Sequence, residues 1–206
     1  MDTHAKRIGI LGGCFNPIHL GHLILAENAR QVFELDQVLF IPCGTPAHKS
    51  TAGLIPAANR LAMIRLAIAD NPAFTVSEIE TARDGISYAV DTVSTLRKME
   101  PDSEFCFIIG ADSLMELHLW RQIYTLLTLC RFLTFCRPGI DLSGLRPADL
   151  RLDPPWGERL IQDIRQGLLI DISSSSIRHR AAEGLSIRYL VPEAVARYIT
   201  EYKLYC

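Results

Sequence analysis

His19 and His22 lie three residues apart, just beyond the paired glycines Gly12 and Gly13, in the run Gly12-Gly13-Cys14-Phe15-Asn16-Pro17-Ile18-His19-Leu20-Gly21-His22. A short apolar stretch precedes the glycines and a segment of helical period follows the histidines, so the run reads as strand, turn and helix start. Paired glycines let a backbone turn sharply and leave its N–H groups open to a phosphate. The positive end of the following helix favours an anion at the same spot. At a spacing of three the imidazoles share one face of the first helical turn. Ala26, Ala29 and Phe33 continue that face, which points it toward a sheet. Gly21, between the histidines, removes a side chain where a nucleotide needs room. The same residues also fit a plain helix start with two locally hydrogen-bonded histidines. Metal binding fits less well, because two histidines with no third ligand nearby make a poor site.

A second phosphate-binding constellation lies far along the chain, in Ile172-Ser173-Ser174-Ser175-Ser176-Ile177-Arg178. One hydroxyl there caps the helical stretch that follows. The remaining hydroxyls and N–H groups suit phosphate oxygens, and Arg178 adds a full charge one turn later. A simple N-cap with a solvent-facing arginine is the alternative. His48 and Lys49 sit in a proline-bearing loop, open to a surface role or a phosphate contact. Asp112, just past an apolar run, is placed either to accept ribose hydroxyls or to cap a short helix. Trp120 offers a flat π surface to a ring, or packs on the core.

To bring these groups together the chain needs a sheet. Candidate strands are 7–11, 37–42, 74–76, 104–110, 132–136 and 168–172, alternating with helices near 18–33, 57–69, 88–99, 120–127 and 157–166. Leu61, Ile64 and Ile68 form the packed stripe of the second helix, and a last helix runs from Pro192 to Tyr202. Strands that are apolar throughout and alternate with helices imply a parallel sheet covered on both faces. The expected fold is α/β: a doubly wound, Rossmann-like sheet, one domain over 1–206 with a small C-terminal helical part. Ligands then belong beyond the carboxyl ends of the strands. The Pro- and Gly-rich stretch 137–155 reads as a surface loop.

Composition sets wide bounds. The chain has 206 residues, 49% apolar, with a net charge of -2, and carries no basic stripe of the kind that binds nucleic acid. No stretch approaches the roughly 20 apolar residues of a membrane span. Six cysteines without a CxxC pair argue against a zinc site of the usual spacing and against a redox dithiol motif. The cytoplasm is the expected location, and oligomeric state is left open, with a homo-oligomer allowed.

The run from Gly12 to His22 resembles the signature of the HxGH nucleotidyltransferases. Further segments resemble one branch, the bacterial nicotinate-nucleotide adenylyltransferases. Pro42 to Lys49 is similar to its PxxxPPHK loop, Ser87-Tyr88-Ala89-Val90-Asp91-Thr92 to SYTVDT, Gly110-Ala111-Asp112-Ser113-Leu114 with Trp120 to GADSL…W, and Ile172 to Arg178 to ISSTxIR. Together they run in family order from residue 8 to residue 178. The resemblance implies transfer of AMP from ATP to nicotinate mononucleotide, with pyrophosphate released and magnesium accompanying ATP. It assigns catalysis to His19, His22 and Arg178. ATP would contact Gly12, Gly13, Cys14, Phe15 and Gly21 of the first motif. Gly110 and Asp112 would add to that site, as would Ile172, Ser173, Ser174 and Ile177. The mononucleotide would meet His48, Lys49, Ser87, Tyr88 and Ala89 on one side. On the other lie Asp112, Leu119, Trp120, Arg121 and Arg137, with the tryptophan stacked on the nicotinate ring. Cys14 stands where the family usually has Thr or Ser, Asn16 where Asp is frequent, Ala47 for the loop's second proline, and Ala89 for a Thr. Alternatives within the reaction class are nicotinamide mononucleotide or pantetheine phosphate as acceptor. Outside it stands a non-catalytic nucleotide-binding regulator.

Overall fold

The computed structural model describes residues 5–47, 51–136, 142, 144–168 and 170–206. Six parallel strands form its main sheet: β1 (Arg7–Gly13), β2 (Gln37–Pro42), β3 (Phe74–Val76), β4 (Glu104–Gly110), β5 (Arg131–Phe135) and β6 (Ile164–Arg165). Their spatial order is β3-β2-β1-β4-β5-β6. The chain thus winds outward from β1 to one edge, returns to lay β4 against β1, and winds out to the other edge. That reversal makes the carboxyl ends of β1 and β4 the topological switch point, where open α/β sheets bind ligands.

The central strands divide their side chains between two cores. Ile8 and Ile10 of β1, with Phe105, Phe107 and Ile109 of β4, face helices α3 (Ala89–Met99), α4 (Ala111–Met115), α5 (Ile123–Leu129) and α6 (Trp156–Gln162). Leu11, Val38, Phe40, Ile108 and Leu133 face the other way, against α1 (Leu20–Val32), α2 (Ala57–Ile68), α7 (Ser174–Ala182) and α8 (Glu193–Glu201). The period of two in a pleated strand creates both faces from one apolar run. Gly9 is required by the second face, since a Cβ there would come within 2.7 Å of the Leu35 side chain. The C-terminal helices are therefore a covering layer of the main sheet. A separate two-residue ribbon pairs Thr45–Pro46 with Ile86–Ser87.

The expected α/β, doubly wound Rossmann-like architecture holds, with three local corrections. The strand expected over 168–172 is absent among the described residues, and the sheet instead ends in β6, four residues earlier and inside the span 157–166 expected as a helix, which stops at Gln162. Leu168 is exposed, so its apolar character marks surface. The helix expected from Trp120 begins at Ile123, because Gln122 takes a left-handed conformation, φ 50, that stops a helix from starting sooner. Within the expected 137–155 loop, Pro147–Leu150 forms a 3-10 turn and buries Leu150 completely.

Candidate active site

The glycines Gly12 and Gly13 remain in β1, paired with Ile41 and Pro42, so they do not themselves make the turn. The turn follows at Cys14–Pro17, and its strained residue is Phe15, with φ 47. A bulky side chain rarely adopts that left-handed backbone, and such strain collects at functional sites. Burial of the Phe15 ring holds it there: the ring is 2% exposed and lies against Phe40 and the His22 imidazole, at 5.9 and 4.9 Å between centroids. A Cβ on Gly13 would come 3.4 Å from the same ring, so the glycine gives Phe15 its seat.

Side-chain donors engage the carbonyls of this turn one after another. Arg60 donates to the Cys14 carbonyl at 2.9 Å, Arg178 to that of Asn16 at 2.8 Å, and the Ser174 hydroxyl to that of Pro17 at 2.8 Å. The Asn16 side chain is itself buried, donating to Gly53 O and accepting from the Tyr205 hydroxyl, both at 2.8 Å. Among the described residues the N–H groups of Phe15 and Asn16 donate to no protein acceptor. Carbonyls that are already bonded and N–H groups without a protein acceptor make a turn that suits an anion.

His19 caps α1 and His22 is its third residue. The His19 N–H donates to His22 Nδ1 at 3.2 Å. With Nδ1 accepting, the neutral tautomer of His22 carries its proton on Nε2. The two rings stack at 3.6 Å. Ala26 and Ala29 continue their face into the core, as the spacing implied. Gly21 serves the histidine itself, because a Cβ there would sit 3.1 Å from His19 Nδ1 and 3.7 Å from Ile172.

Helix α7 brings the second constellation to the first. Ser173 caps it by accepting from Ser176 N at 3.1 Å, and Ile177 anchors it in the core with no exposure. Ser174 and Arg178 strap the turn as described, while Ser175 accepts a second Arg178 bond at 3.4 Å. The serine hydroxyls therefore act first as structure. The N–H groups of Ser174 and Ser175 open the helix without a protein acceptor among the described residues, as helix starts do.

A further group of the residues that the sequence singled out begins where β4 ends. Gly110 caps α4, and Asp112 lies exposed in that helix's first turn. The N-cap position is thus Gly110, which has no side chain to cap with, and Asp112 is the second residue of the helix. Trp120 is half-buried, its ring edge-on to Phe107 and Phe132 at 5.7 and 6.1 Å. Arg121 is exposed and stacks over Tyr88 at 4.5 Å. Leu119 stands exposed beside them, and Ala89 opens α3 directly after Tyr88. Ser87 Oγ accepts from Gly44 N at 3.2 Å, tying this segment to the loop after β2. His48, Lys49 and Arg137 lie outside the described residues.

The sequence matches the cytidylyltransferase-like family over residues 10–180. A relative from Pelobacter propionicus, named as a probable nicotinate-nucleotide adenylyltransferase, is 47% identical over 97% of this chain and 98% of its own. One of the same name from Citrifermentans bemidjiense is 44% identical with the same coverage. The chain belongs to the nicotinate-nucleotide adenylyltransferases. The fold agrees: the Plasmodium falciparum nicotinic acid mononucleotide adenylyltransferase, solved in complex with NaAD, superposes with a TM-score of 0.75 at 19% identity, over 97% of each chain.

Sequence reasoning missed two members of the adenylyltransferase site. Arg60 is 2% exposed and supports the turn from below, also donating to Ile55 O at 3.2 Å. Its signal was a charge on the apolar face of α2, one residue before Leu61 and four before Ile64. Tyr205 closes on Asn16 from the chain's far end, and nothing local announced it. Burial pushes its hydroxyl well above the usual tyrosine range, so it stays protonated and donates.

Proposed function

We propose that this protein joins the adenylyl group of ATP to nicotinate mononucleotide, giving deamido-NAD and pyrophosphate, as a cytoplasmic step of NAD synthesis. The observation that carries the reading is the turn at Cys14–Pro17. Its carbonyls are held by Arg60, Arg178 and Ser174, and its Phe15 and Asn16 N–H groups are open, directly before two stacked histidines. That arrangement receives a phosphate chain. The α-phosphate sits by the turn, between Gly13 and Phe15, with His19 and His22 along the triphosphate. Arg178 and the first N–H groups of α7 face the β and γ phosphates.

An acceptor phosphate oxygen attacks the α-phosphorus as the bond to the bridging oxygen of pyrophosphate breaks. The acceptor is already ionised near pH 7, so no general base is needed. Catalysis consists of alignment and of meeting the charge that grows on the leaving oxygens. His22 Nε2–H is the donor assigned to that charge. Among the described residues no three acidic, histidine or cysteine side chains gather as a metal cage. The donors at the turn suit phosphate oxygens, and magnesium would accompany ATP as its counter-ion, lowering the charge on the phosphates that those donors hold. Trp120, Tyr88 and Arg121 receive the pyridine ring, and Asp112 its ribose hydroxyls.

A second reading, the amide mononucleotide as acceptor, is favoured by Ala89, which lacks a threonine's hydroxyl near the pyridine. The Arg121 guanidinium over Tyr88 favours the acid. Pyrophosphate release from MgATP, with nicotinate mononucleotide, nicotinamide mononucleotide and pantetheine phosphate offered separately, decides between them. Preference for the acid with deamido-NAD as product is expected. Preference for another acceptor overturns the substrate, and binding of ATP with no release overturns the activity.

A further inference from the structure

Cys14 and Cys43 come from different motifs, one beyond β1 and the other beyond β2. Parallel pairing sets Gly13 opposite Pro42, and the Cys43 N–H donates to Gly13 O at 2.9 Å, so the two cysteines that follow are neighbours. Their sulfurs are 3.2 Å apart, with the Cys43 thiol donating to Cys14. Among the described residues no other two cysteine sulfurs touch. Cys14 is partly exposed and Cys43 buried. The Arg60 guanidinium lies 4.0 Å from the Cys43 sulfur and on the Cys14 carbonyl.

We propose that Cys14 and Cys43 are a site of reversible oxidation by hydroperoxides, closing to a disulfide that disables the phosphate-binding turn. Each partner has a distinct part. Cys14 is partly exposed and accepts a hydrogen bond at sulfur, so it is the partner a peroxide meets first. Cys43 holds its proton: the bond to Cys14 and burial push its thiol up. Cys14 sulfur attacks the peroxide, forming an S–O bond as the O–O bond breaks, and the alcohol or water leaves with one proton. Cys43 sulfur then attacks the resulting sulfenic acid, forming S–S as S–O breaks, and its proton departs with hydroxide as water. Two thiols and one hydroperoxide give one disulfide, one alcohol or water, and one further water. A dithiol reverses the change by exchange.

The consequence follows from distance. A disulfide needs its sulfurs at about 2.05 Å, so closure of the 3.2 Å gap brings the two sulfurs about 1 Å closer and pulls on the turn that begins at Cys14. A shift of that size at a site that works by alignment costs about 10²-fold in rate. The loss of turnover rests on the adenylyltransferase reading; the bond itself does not.

The test treats the reduced full chain with hydrogen peroxide. Intact mass and non-reducing peptide mapping read the bond, and pyrophosphate release reads the activity. A chain lighter by two hydrogens is expected, with the Cys14 and Cys43 peptides joined. Turnover should fall at least tenfold, return with dithiothreitol, and be protected by MgATP. Cys43→Ser, active before treatment, should form no bond and instead retain a Cys14 sulfenic acid trapped by dimedone. Peptides that stay unlinked, or a disulfide that leaves turnover unchanged, overturn the proposal in wild-type protein whatever the variant's folding.

Discussion

At the scale of single residues, the site separates side chains that would touch substrate from those that hold them. His22 is in the first group. Its Nδ1 accepts from the His19 N–H, and the proposed mechanism assigns its Nε2–H to the leaving phosphates. Replacing it with alanine should lower turnover by about 10²-fold or more, the range for losing a donor to transition-state charge. Unchanged turnover in a folded variant would remove His22 from the mechanism. Trp120 stands between the two groups. It packs edge-on against Phe107 and Phe132 yet remains half-exposed. Trp120→Ala should raise KM for the mononucleotide several-fold while leaving KM for ATP near wild type, because stacking on aromatic faces contributes about 1 kcal/mol. Equal damage to both substrates would make it a core residue alone. Arg60 belongs wholly to the supporting group, and it explains a limit of sequence reading. A buried guanidinium is stable here because backbone carbonyls of Cys14 and Ile55 accept from it, and those acceptors are set by chain-distant geometry that no local pattern records.

At the scale of elements, the junction between α7 and the phosphate turn decides whether the two constellations act as one. Ser173 and Ser174 are adjacent but perform different tasks, one capping its own helix and the other bonding Pro17 O across the fold. Ser173→Ala should cost about 1 kcal/mol of stability, as lost N-caps do, with a small effect on ATP. Ser174→Ala should cost a similar amount but also raise KM for ATP, since it removes one of the two bonds by which α7 holds the turn, the Arg178 bond to Asn16 O remaining. Thermal unfolding with KM measurements on both variants checks this, and identical KM values would reduce the junction to packing. The sheet was legible for a related reason: β1, β2 and β4 are central strands, and their burial on both faces writes nearly continuous apolar runs. β6 was not, because a two-residue edge strand leaves no period, and exposed Leu168 nearby imitates one. The turn was misplaced by the glycines. They looked like the bend, whereas the bend is enforced by Phe15, whose left-handed backbone depends on a ring packed beneath His22.

At the scale of the whole molecule, acid stability provides a measurable summary of how the faces are joined. Glu27 of α1 accepts from Arg30 at 2.7 Å and Gln31 at 2.9 Å on its own helix, and from Asn71, beyond α2, at 3.2 Å. The Arg30 bonds foremost hold its carboxyl down at about 2. A depressed folded value means the stabilisation is complete above the ordinary value of 4.5 and is lost as pH falls through about 2. Glu80 works in the opposite sense: burial raises its value despite the Thr92 hydroxyl, so protonation there relieves a cost as pH falls. The net acid response of the chain mixes both, and a wild-type curve alone would not separate them. The difference between wild type and Glu27→Gln does, because Glu80 cancels. That difference should be at most about 1 kcal/mol at pH 6, given that the pair is partly exposed and screened, and should shrink toward zero between pH 4.5 and 2. Urea unfolding of both proteins at pH 6 and pH 3 measures it. A gap that stays constant across that interval would mean Glu27 contributes packing to the α1–α2 face and no charge.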